Sequence, residues 1–158
     1  MPATRWLTSI AVGAAMGLPL LTGAYAEVQQ AAAPAAMRAT RTPSPADAYV
    51  YIGWPNDGEV LHTRRFKVWF GTRNFGVAPA GVTKGNTGHH HLLIDTGLPP
   101  LDEPIPNDKN HLHFGAGQTE TYIELPPGTH TLQLIMGDAD HIPENPPIVS
   151  KKITVIVP

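Results

Sequence analysis

Cysteine is absent from the 158-residue chain, which excludes disulfide frameworks, thiolate zinc fingers, iron–sulfur clusters, thiol catalysis and copper sites of the His-Cys type. Charge is scarce and balanced. With 11 Lys and Arg against 13 Asp and Glu the formal charge is -2, too even for the basic footprint that neutralises phosphates, so nucleic acid is not an expected partner. Long helical periodicity is missing. So are a Gly-rich phosphate loop and a nucleophile–base pair at a recognisable spacing. What the chain has in quantity is imidazole, proline and glycine: 8 His, 17 Pro and 15 Gly. Proline and glycine at that frequency mark many turns between short strands. A chain of this length fits one globular domain and not two.

Residues 1–26 read as an export signal. Arg5 supplies the positive charge, Trp6 to Gly23 an uncharged apolar run, and Ala24-Tyr25-Ala26 a small-x-small cleavage site. The apolar run is short for a bilayer span and is diluted by Thr8, Ser9, Gly13, Gly17 and Pro19. Cleavage after Ala26 therefore predicts a periplasmic or secreted protein with no membrane span. From Glu27 to Asp47 the chain is rich in Ala, Pro and Ser, with little bulky apolar content, and reads as a disordered tether. The folded unit is expected over 48–158, roughly 110 residues, a common size for one β-sandwich.

Within that unit apolar residues recur at period two in short runs broken by Gly, Pro, Asn and Asp, the pattern of half-buried antiparallel strands. Strands are expected near Ala48–Ile52, Arg65–Phe70, His89–Asp95, Thr119–Leu125, Thr129–Met136 and Ser150–Val157. Turns are expected at Asn56-Asp57-Gly58, Pro79-Ala80-Gly81 and Pro126-Pro127-Gly128. The fold class this predicts is all-β: an immunoglobulin-like or related Greek-key antiparallel β-sandwich. His130 sits where the corner leading into a late core strand of such sandwiches often carries an aromatic residue.

The chemistry lies in the histidines. His89 and His91 share one face of their strand and His90 leaves on the other. His111 and His113 repeat the spacing, and Asp138-Ala139-Asp140-His141 follows the strand that begins at Thr129. Neutral imidazole suits Cu(II), Zn(II) and Ni(II), and two His-x-His units on neighbouring strands could form a nitrogen-rich site. The expected metal residues are His89, His91, His111, His113, His141 and Asp138, with copper or zinc as the ion. A polar network bracing the loop 96–110 is the structural alternative for the same histidines. That loop carries four prolines and suits a lid or a brace. Its acidic residues Asp102, Glu103 and Asp108 do not form the regular Asp-x-Asp-x-Asp-Gly calcium motif. His62, alone after Val60-Leu61, is expected at the surface.

The run Gly-His-His-His-Leu-Leu-Ile-Asp at 88–95, the run from Asn110 to Glu120, the run from Leu125 to Leu134 and the cluster Gly137-Asp138 with His141-Ile142-Pro143 together resemble a family of small exported bacterial proteins of unknown function. Some members of that family carry a rod-shape-determining label. The resemblance extends over roughly residues 55–157 and implies a periplasmic or secreted sandwich with no established reaction. It also implies that a further histidine is often found near the position held here by Glu144.

Three function classes follow. A metal-binding module accounts for the paired histidines and the export signal. An envelope interaction domain would bind glycan or protein through the loop 96–110, with the histidines structural. A superoxide dismutase-like metalloenzyme is the third, but neither its bridging histidine nor its full zinc ligand set can be placed. No catalytic residue is assigned.

Overall fold

A computed structural model describes residues 40–158. The export signal and residues 27–39 of the tether lie outside the described residues. Among the described residues the regular structure is all strand: β1 (Tyr49–Trp54), β2 (Glu59–Val60), β3 (Arg65–Arg73), β4 (Gly76–Val77), β5 (Thr87–Ile94), β6 (His111–His113), β7 (Glu120–Glu124), β8 (Gly128–Gly137) and β9 (Ile153–Val157). They form two sheets. The smaller has the order β1-β3-β7, and the larger runs β2-β9-β8-β5-β4, with β6 also paired to β5. Pairing is antiparallel except for the two-residue pairs β2 with β9 and β4 with β5.

The two sheets pack as a sandwich because each long strand alternates. In β3, Phe66, Val68 and Phe70 are buried while Arg65 and Trp69 are exposed. These side chains meet Leu92 and Ile94 of β5, Leu132, Leu134 and Met136 of β8 and Val155 of β9 in one apolar cluster. A fully buried Leu or Val of this kind stabilises the fold by about 1.5–3 kcal/mol.

Strand β5 departs from half-burial: every residue from Gly88 to Ile94 is buried. Its inner face adds His90, whose ring lies 4.6 Å from that of Phe70. Its outer face, with His89, His91 and Leu93, is covered as well. Leu93 packs with Ile135, Ile105, Leu101 and Val149 in a second apolar cluster, so the loop between β5 and β6 lies over the back of the large sheet. The sequence reading of that loop as a lid or brace corresponds to a packed cover.

The segment expected as tether up to Asp47 is held to the domain well before that point. Arg41, Thr42 and Ser44 hydrogen-bond to the stretch 138–146, and Pro43 bridges Asn145 in parallel. These contacts are made by backbone and polar atoms, which a search for bulky apolar residues does not register.

Candidate metal centre

Four imidazoles meet on the outer face of β5. The two-residue period of the strand sets His89 and His91 on that face, and pairing of β5 with β6 places His113 opposite His91. The turn that follows β8 contributes His141. Ring centroids of His89 lie 4.9 Å from each of His91, His113 and His141, and those of His113 and His141 are 4.7 Å apart. Nitrogen atoms of His89, His113 and His141 fall within 4.8 Å of one another, a group that could hold a metal ion. His91 Nε2 lies 3.1 Å from His89 Nε2. Two nitrogens bound to one tetrahedral zinc at the usual bond length stand roughly 3.3 Å apart, so the pair is already near a shared-ion spacing.

Local sequence makes room for the rings. A Cβ on Gly115 would fall 2.3 Å from His113 Cε1, and one on Gly137 would fall 3.1 Å from His91 Nε2. His141 stands in a turn organised by Asp138. The Asp138 Oδ1 accepts the N–H groups of Asp140 at 2.9 Å and Ile142 at 3.0 Å, and the Asp138 carbonyl accepts the His141 N–H at 3.0 Å. His141 itself has φ 68°, a left-handed conformation that costs a non-glycine residue about 1–2 kcal/mol. The covering loop is tied to it, since the Ile105 N–H donates to the His141 carbonyl at 2.8 Å.

The electrostatics favour neutral rings. His89 and His91 are fully buried. Burial, reinforced by charge repulsion from His113 and His141, lowers His89 to about 4. Burial and then the neighbouring histidines lower His91 to about 2, and His113 is lowered for the same reasons. Neutral imidazole is the ligating form, so protons compete weakly for this site near pH 7. Polar satisfaction is poor: Nδ1 of His89, Nδ1 of His91 and Nε2 of His113 are buried with no hydrogen-bond partner. Each such atom costs about 1–3 kcal/mol in the metal-free fold.

Of the residues that the sequence marks as metal ligands, His89, His91, His113 and His141 come together. His111 shares their sheet face, but its Nδ1 lies 2.8 Å from Asp108 Oδ1, and no ring contact joins it to the four. Asp138 spends its carboxylate on the turn and on the Thr42 hydroxyl at 2.6 Å. His130 is at the corner, between Asp95 Oδ2 at 2.6 Å and the Pro126 carbonyl at 2.9 Å.

One functional-looking residue is not marked by any spacing. Glu144 is fully buried, neither carboxylate oxygen has a hydrogen-bond partner, and burial raises it to about 7. A Cβ on Gly88, next to His89, would fall 2.7 Å from its Oε1. Only the family resemblance, through its histidine near position 144, points there.

The profile of DUF4399, described as a domain of unknown function, matches residues 68–158. The chain belongs to the DUF4399 family. No curated protein and no solved structure matched it. The matched region of this DUF4399 member contains all four clustered histidines and Glu144, whereas residues 41–44 and β1 precede it.

Proposed function

We propose that this domain binds one divalent transition metal through His89, His113 and His141, with His91 completing the set, and that it does so after export to the periplasm or beyond. The observation that carries the reading is the convergence of four imidazoles, three of which keep one buried ring nitrogen without a partner. A structural histidine network would satisfy those atoms with carbonyls, hydroxyls or carboxylates. One ion could take Nε2 of His89 and His91 together with the unpartnered Nε2 of His113, leaving the two Nδ1 atoms outside its coordination. An all-nitrogen donor set with no thiolate suits Cu(II) or Zn(II).

The test is thermal unfolding of untagged protein with and without Cu(II) or Zn(II). An ion that binds the folded site alone stabilises it by RT ln(1 + [L]/Kd), about 2.7 kcal/mol at a hundredfold excess over Kd. The melting temperature should rise with metal, and replacing His89 and His91 together by Ala should remove most of that rise, whereas His62→Ala should not. A double variant that loses stability equally with and without metal would mean that the histidines are structural.

A further inference from the structure

Three of the four imidazoles ride on β5 and β6, but His141 is carried by a turn. What holds that turn is the chain just before the sandwich. Thr42 Oγ1 donates to Asp138 Oδ2 at 2.6 Å, and the other oxygen of the same carboxylate brackets His141 through the N–H groups of Asp140 and Ile142. Arg41 donates through Nε to the Pro143 carbonyl at 2.9 Å and through Nη2 to the Glu144 carbonyl. The backbone joins in: the Asn145 N–H donates to the Thr42 carbonyl at 2.8 Å and the Ser44 N–H to the Asn145 carbonyl at 3.1 Å. The Ser44 hydroxyl adds a bond to the Pro146 carbonyl at 2.7 Å.

A turn holding a left-handed histidine relaxes unless its surroundings over-determine it. Here the surroundings are the Asp138 carboxylate, the Ile105 amide and the arm 41–44. We propose that the arm is a positioning element of the metal centre, with Thr42 and Arg41 setting the affinity by holding His141 in ligating position. The proposal rests on the metal-binding reading above. It makes the site sensitive to what happens at the N-terminal end of the domain, because that arm is also the stretch joining the sandwich to residues 1–39. Detaching the arm should leave a strand-borne three-histidine site in place of a four-histidine one.

The experiment measures Zn(II) affinity by chelator competition and Cu(II) coordination by electron paramagnetic resonance on the mature chain. The chains compared are the unvaried protein, Thr42→Val, Arg41→Met, Thr42→Ser, His141→Ala and the double variant Thr42→Val with His141→Ala. Hydrogen bonds to charged groups are among the stronger ones, so Thr42→Val should weaken Zn(II) binding about tenfold. Thr42→Ser, which keeps the hydroxyl, should restore it. Arg41→Met cuts a different set of bonds to the same turn and should act in the same direction. The nitrogen hyperfine pattern of Thr42→Val should move toward that of His141→Ala, and Thr42→Val should cost no further affinity in the His141→Ala background. A chain that binds zinc but is indifferent to both arm variants, or that loses as much affinity without His141 as with it, overturns the inference alone. An unvaried chain that binds neither ion overturns the metal reading together with it.

Discussion

His130 and the buried histidines of β5 titrate in opposite directions. Both ring nitrogens of His130 face acceptors, the Asp95 carboxylate and the Pro126 carbonyl, so both must carry protons to be satisfied. Burial works to lower its pKa, but these partners outweigh it and the net shift is upward. Whatever stability the pair contributes is present below the unfolded value and lost as pH rises through the folded one. His89 and His91 are lowered, so between about 6.5 and 4 the unfolded chain takes up protons that they refuse. An NMR titration of the metal-free protein should show His130 protonating with a midpoint above 6.5 while the rings of His89 and His91 stay neutral at pH 5. Protonation of either β5 ring near pH 6.5 would refute the buried-cluster electrostatics. Glu144 is displaced the other way for an acid. Its folded value of about 7 means that the native state holds a proton between pH 4.5 and 7 that the unfolded state has released, so its contribution falls as pH rises through that window. Glu144→Gln should therefore stabilise the metal-free protein at pH 8 by on the order of 1–3 kcal/mol, with little gain at pH 5. Denaturant titrations at the two pH values measure this. An equal effect at both would show that Glu144 does not change charge across that range.

At the scale of elements, β5 accounts for most of the site, because a strand buried on both faces delivers two histidines to one side and one to the other without a turn. His90 on the inner face belongs to the sandwich core: burial lowers it to about 4, and neither of its ring nitrogens has a hydrogen-bond partner. Strand β6 adds His113 by register, and Gly115 and Gly137 leave the rings room that a Cβ would take. Gly115→Ala tests that last point. The new methyl would overlap His113 Cε1 at 2.3 Å, so the ring must turn out of the cluster. Metal affinity should drop tenfold or more while the far-UV spectrum stays unchanged. Unaltered affinity would mean that His113 is not held where Gly115 allows it.

For the whole molecule, the proposed compartment follows from residues 1–26, and intact-mass analysis of secreted material should find a chain beginning at Glu27. Retention of residues 1–26 would overturn the proposed export with cleavage. The sandwich itself is legible in the amino-acid sequence, because half-buried strands such as β3 and β9 advertise themselves by period two, while β5, buried on both faces, stands out only as a short unbroken run: the expected runs correspond to β1, β3, β5, β7, β8 and β9. The two-residue strands β2 and β4 and the three-residue β6 are too short to display a period, and sheet pairing alone reveals them. The same division runs through the site. That His89 and His91 share a face is a local consequence of strand geometry, as is the shared face of His111 and His113. Two things do not follow from strand period: that His111 turns to Asp108 while His141 replaces it beside the other three, and that residues 41–44 grip the turn carrying His141. The first depends on a local turn, in which the Asp108 carboxylate accepts from the Asn110 and His111 N–H groups and meets His111 Nδ1, and on where the fold sets the turn after β8 that carries His141. The second depends on hydrogen bonds that close loops between residues about a hundred positions apart, and only the folded chain brings those partners together.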